Sequence, residues 1–398
     1  MNDTEYRRLA GSALQPLLRR IQLPALIVGV VGLIACLLGA FVDPARFFQS
    51  YLFAEIFWLD MALGGLGILM IQYMIIGYWG TMIRRILEAM AMTLPLLLAL
   101  FLPLLPGLST LYPWMRPEAA QVPKLVAKSA YLNGPFFLIR AAIYFAIWIA
   151  LAYLLNRWSA QQDRTGDPRL AGRMSALSRP GMILFVLTVN FAAVDWMMSL
   201  EPEWYSSVFG VLFLAGQGLA GMALAIISAS FLSDRGPLAD VVTAERFNDL
   251  GNLLLAFVMF WAYINLSQYL IIWSGNLPEE VTWYVQRSQG GWEWLIRTVL
   301  ALEFAGPLLV LLSRRAKRNF RALTTLAAVI LVVHLIEVYW RIMPAFSERL
   351  VVSWLDFAAP LGIGGLWIAA YAWLLARKPL VPLHDPRAAQ LEEAAANG

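Results

Sequence analysis

The chain has 398 residues, of which 60% are hydrophobic and only 14% charged, so it lacks the polar surface that a water-soluble globule needs and lipid must be its solvent. A single cysteine, Cys36, and two histidines, His334 and His384, exclude a disulfide framework, a cysteine-ligated iron–sulfur or zinc site, and the paired axial ligands of stacked b-type haems. The net charge of +4 does not mark a nucleic-acid binder, because the basic residues fall between apolar runs and form no single soluble face.

Ten apolar stretches approach the length of about 20 residues that crosses a hydrocarbon core. They predict an all-α integral membrane protein with helices over 22–42, 51–79, 85–106, 132–156, 180–200, 204–232, 246–273, 291–313, 321–343 and 354–377. The first begins after Arg19 and Arg20 and ends at Asp43-Pro44 without a small-residue cleavage site, so it is expected to stay as a helix. Pro95, Pro103 and Pro307 lie within runs and predict kinks. Gly64, Gly65 and Gly67 in the second run, and Gly210, Gly216, Gly218 and Gly221 in the sixth, predict close helix packing. Residues 1–21 and 378–398 are expected to be short tails around a single membrane domain, 22–377. Most of the 30 lysines and arginines lie in these tails and in the even-numbered loops, which predicts both termini in the cytoplasm.

Ionisable residues inside apolar runs are costly and usually face the protein interior. Under that topology Glu55 and Asp60, Arg140, Asp195, Glu293 and Arg297, and Glu337 and Arg341 fall in the outer half, with Asp356 at its edge and His334 about mid-depth. His334, Glu337 and Arg341 are spaced by three and four residues, so they share a helix face that places a proton acceptor, a carboxylate and a guanidinium in a line. Asp60, Asp195 and His334 have no obvious partner on their own helices. The inner half offers Glu88, Asp249, Glu303, Asn248 and Asn252. Glu303 stands four residues before Pro307, where the backbone can open. Asp60, Arg140, Asp195, His334, Glu337, Arg341, Glu303 and Asp249 are therefore the candidate proton pathway, with Glu303 and Asp249 leading towards the cytoplasm. The competing reading makes them ion pairs and hydrogen bonds that tie helices together. No catalytic residue, quinone contact or metal site is assigned.

The segment Phe191-Ala-Ala-Val-Asp195-Trp196-Met-Met-Ser199-Leu200-Glu201-Pro202-Glu-Trp204-Tyr205-Ser206-Ser207-Val-Phe-Gly210 resembles the second large membrane subunit of bacterial alternative complex III, a quinol:cytochrome c oxidoreductase. Trp261-Ala-Tyr263-Ile-Asn-Leu-Ser267-Gln268-Tyr-Leu-Ile-Ile-Trp273 and Asn276-Leu-Pro278-Glu279-Glu280-Val-Thr-Trp283-Tyr284-Val-Gln-Arg287 resemble the same subunit. The resemblance implies a relative of polysulfide-reductase membrane subunits, with helices two to five and six to nine in two four-helix bundles and helices one and ten flanking them. It further implies the bacterial cytoplasmic membrane, a sister membrane subunit of similar fold, and iron–sulfur and c-type cytochrome subunits that carry the clusters and haem. For this chain it implies assembly and proton conduction or quinone binding, with Asp195 carried over within the signature. A proton-coupled secondary transporter and a purely structural scaffold are the alternatives.

Overall fold

A computed structural model describes residues 15–75, 77–233, 243–382 and 384–385. Among them there is no strand, and ten helices are long and apolar enough to cross a membrane. They are α1 Leu18–Val42, α2 Pro44–Met74, α3 Trp79–Leu111, α4 Gly134–Thr165, α5 Arg169–Leu200, α6 Phe209–Leu232, α7 Ala244–Gly275, α8 Trp292–Leu312, α9 Phe320–Ala345 and α10 Leu355–Leu375. The chain is thus a multi-pass membrane protein.

Local chemistry sets the ends of these helices. Asp43 caps α2 by accepting from Arg46 N at 3.0 Å, with Pro44 at the first helical position, where its missing N–H costs nothing. Asn133 and Asn319 cap α4 and α9 in the same way. Gly166 and Asn276 end α4 and α7 in the left-handed conformation that favours glycine and asparagine.

The predicted kinks have distinct forms. Near Pro95, α3 breaks at a turn over Met92 and Thr93, and around Pro103 it tightens to a 3-10 segment, Leu102–Gly107. In α8 the distortion precedes Pro307 as a π-helical turn, Leu300–Ala305, the kind of bulge that turns an extra residue inward.

α2 is the hub and is buried along nearly all of its apolar stretch, whereas α1, α7 and α8 bury less than a third of theirs and turn leucine, isoleucine, valine and aromatic side chains outward. α2 packs against α3, α5, α6, α9 and α10, while α6 also packs on α5, α7 and α9. α4 pairs with α5, α8 with α9, and α1 with α10. Glycine makes two of these contacts possible. A Cβ on Gly64 would fall 2.1 Å from the Gln217 carbonyl oxygen, so α2 and α6 meet backbone to backbone. Gly29 and Gly32 of α1 meet Gly365 and Gly362 of α10 as closely, which is dispersion packing where lipid supplies no hydrophobic drive.

Candidate functional site

Chain direction puts 43, 112–133, 201–208, 276–291 and 346–354 at one end of the bundle and 75–77, 166–168, 313–319 and 376–382 at the other. Between these ends α2, α8 and α9 bring five of the expected residues together, Asp60, Glu303, His334, Glu337 and Arg341. His334 on α9 has Asp60 Oδ2 of α2 at 3.1 Å from its Nε2 and Glu337 Oε2 at 3.0 Å from its Nδ1. Glu303 of α8 lies on the Nδ1 side, with Oε1 at 3.5 Å. Glu337 Oε1 accepts from Trp261 Nε1 at 2.8 Å and from Arg341 one turn on. All are buried. Space for the imidazole comes from Gly216, whose Cβ would stand 3.0 Å from the ring.

Glu303 therefore faces the histidine group and does not lead away from it. Asp249, expected as its companion, is exposed on α7 and among the described residues makes no hydrogen bond or ion pair with the histidine group. Among the described residues neither oxygen of Glu303 has a hydrogen-bond partner, and the same holds for Asp60 Oδ1 and both oxygens of Glu55, five residues before Asp60. The π-turn is what directs Glu303 inward, since it occupies the middle of that turn.

Arg140 and Asp195 form a separate pair nearer the Asn133 end. The guanidinium donates to both carboxylate oxygens at 2.8 and 2.9 Å, and Tyr144 donates at 2.8 Å. Arg140 also lies over the Tyr131 and Phe136 rings. Asp195 thus has its partner on the adjoining helix. Glu293 and Arg297 do not form an interior face. Glu293 closes the turn onto its own helix by accepting from Gly291 N, and Arg297 is exposed over Trp294.

Two further polar groups close the ends. At one, Asp356 accepts from Ser50, Tyr339 and Arg46, and Arg287, over the Trp283 ring, donates to Glu201. Burial pulls the Arg287 guanidinium below its ordinary range against the opposing pull of Glu201. At the other end Arg84 and Arg85 are both buried, joined to Glu88, Ser159, Asp163 and Asp385. Lys378 reaches the same Glu88 at 2.9 Å, and burial lowers its ammonium below 10.5 despite that carboxylate. Sequence reading noted Glu88 and missed the two arginines; the signal was their spacing of three and four residues from it, which puts all three on one helix face.

An apolar cavity of about 850 Å³ opens between α7, α8 and the short helix Pro278–Arg287. Its walls include Met259, Leu266, Trp283 and Tyr284, and its inner end reaches Trp261, Asn265, Phe304 and Arg341, beside the histidine group. No protein-family model and no curated protein sequence matches this chain.

Proposed function

We propose that this chain is a membrane subunit, without redox metals of its own, of a quinol-oxidising electron-transfer complex of the alternative complex III type, and that it carries protons through its interior. The observation that carries this reading is the unbroken buried series Asp60, His334, Glu337 and Arg341, with Glu303 beside it. Alternating carboxylate and imidazole groups at hydrogen-bond distance are what a proton relay requires, and charged groups are kept inside a bilayer at a cost that function must offset. A scaffold is satisfied by paired charges such as Arg140 with Asp195, but it has no use for a wholly buried carboxyl at Glu303 that makes no hydrogen bond among the described residues.

In this reading α2–α5 and α6–α9 are two four-helix bundles flanked by α1 and α10, which agrees with the pairing of α4 on α5 and of α8 on α9. Both termini lie in the cytoplasm of a bacterium, with the Arg287 and Asp356 end outside. The partners are a sister polysulfide-reductase-like subunit, an iron–sulfur subunit and c-type cytochromes. The aromatic cavity ending at Asn265 and Arg341 is where a quinone headgroup fits.

Purification of the tagged chain in mild detergent, followed by a haem spectrum and subunit masses, tests the assignment. Co-purifying c-type haem and quinol oxidation are expected, and a colourless chain stable alone would instead indicate the transporter. In liposomes, Glu303→Gln and Asp60→Asn are each expected to slow proton release about 100-fold, within the range that a positioned acid–base group contributes. Unchanged proton release in both variants would leave only the scaffold.

A further inference from the structure

We propose that Glu303, His334 and Glu337 form a binding site for one redox-inert divalent cation of the zinc class. One potential ligand atom from each residue lies within 4.8 Å of the others. From His334 Nδ1 the two carboxylate oxygens stand at 3.0 and 3.5 Å. Donors about 2.0–2.2 Å from a tetrahedral zinc ion are separated by roughly 3.4 Å, so the two separations from Nδ1 bracket the distance that the ion needs.

The surrounding groups hold each ligand as a metal site requires. A ligating histidine almost always donates its other ring N–H to a carboxylate or carbonyl, which fixes the tautomer and the ring direction. Here Nε2 faces Asp60 Oδ2 at 3.1 Å, and a proton on Nε2 would turn the Nδ1 lone pair towards the two glutamates. Glu337 is anchored through Oε1 by Trp261 and Arg341, so that Oε2 is the oxygen left for an ion. Glu303 is wholly buried, and beyond the 3.5 Å approach of Oε1 to His334 Nδ1 neither oxygen has a hydrogen bond among the described residues, an arrangement that calls for an explanation wherever it occurs. Chelation by both oxygens would give four donors from three residues.

Charge points the same way. With His334 neutral, Asp60, Glu303 and Glu337 outweigh Arg341 by two negative charges, and a dication cancels that excess without any proton. An imidazole with two carboxylates suits zinc better than magnesium or calcium, which take oxygen sets. The cavity that ends at Trp261, Phe304 and Arg341 offers a route in. Binding needs only this geometry and holds whether or not protons move through the cluster.

The test is equilibrium binding of Zn²⁺ to the full chain, purified with whatever accompanies it and stripped with chelator, with elemental analysis of the chain band and Co²⁺ absorption as a probe of ligand geometry. One saturable zinc site per chain is expected, with tetrahedral Co²⁺ bands in the visible. Glu303→Gln should abolish it, Asp60→Asn should weaken it by about 10–100-fold, and His384→Ala, which removes the other imidazole, should leave it intact. Glu303→Gln keeps the shape of the side chain, so it keeps the test valid if His334→Gln does not fold. Absence of saturable binding in the wild type, unchanged stoichiometry in Glu303→Gln, or loss in His384→Ala would each overturn the site.

Discussion

Replacing Arg140 by methionine would strand Asp195, which is wholly shielded from solvent, with one side-chain hydrogen bond from Tyr144 in place of the guanidinium's two. Removing one partner of a buried ion pair costs about 3–5 kcal/mol, because the survivor is an uncompensated buried charge. The opposite change, Asp195→Leu, should cost less. Arg140 then keeps the Tyr131 carbonyl at 2.9 Å and its places over the Tyr131 and Phe136 rings, 3.9 and 4.3 Å from their centroids. A desolvated cation over an aromatic face gains up to about 2 kcal/mol, so Asp195→Leu is expected to fall below Arg140→Met by about 1–2 kcal/mol. The double variant should lie within about 1 kcal/mol of wild type, since apolar groups of similar volume often replace a buried pair without loss. Reversible unfolding in mixed micelles, followed by tryptophan fluorescence, gives all three values and their coupling energy. A double variant as unstable as the sum of the single ones would refute the pairing argument.

Gly64→Ala should destabilise by about 1–3 kcal/mol or more through overpacking, because the new methyl meets the Gln217 backbone, whereas Gly172→Ala, with nothing within 4 Å, should not; thermal unfolding of both variants decides. Glu88→Gln leaves Arg84, Arg85 and Lys378 around a neutral amide, and a loss of about 3–5 kcal/mol is expected by the same unfolding assay. Burial holds the Lys378 ammonium below 10.5, so with rising pH the folded chain releases this proton before the unfolded chain does. The unfolded state then binds more protons and stability rises with pH in the alkaline window below 10.5. Lys378→Met should remove that rise, and a pH series of unfolding free energies with the same slope in both proteins would contradict it.

The helices were legible because hydropathy reports the part of each helix that lies in hydrocarbon. It misses the rest. α4 continues past its apolar run to Thr165 and α5 starts at Arg169, well before its run, because a helix does not stop where the lipid does. The start of α2 at Pro44 was marked in the sequence by Asp43-Pro44, a cap followed by a residue suited to the first turn. Within the site, the alignment of His334, Glu337 and Arg341 follows from spacing on one helix. That Asp60 closes the other side of the imidazole depends on α2 meeting α9, which no local pattern encodes. Glu303 was singled out for its proline neighbourhood, but its direction is set by a π-turn, and an ideal helix reading could not give it. Asp249 lies on an exposed side of α7, which spacing did not give because charge in an apolar run reports depth and not azimuth.

The enclosure of α2 also orders the protein's birth. α2 leaves the ribosome about 130 residues before α6 and about 280 before α10, and at roughly 5–20 residues per second those helices follow it on the order of 10 s to a minute later. Throughout that interval the carboxyls of Glu55 and Asp60 have no native neighbours from α6, α9 or α10. Trp58, which donates to the Pro360 carbonyl and packs on Gly364, is covered only when α10 arrives. α10 then docks on α1 as well, so the arrival of one helix completes both contacts, and a nascent chain halted before it leaves Trp58 and the α10-facing side of α2 uncovered.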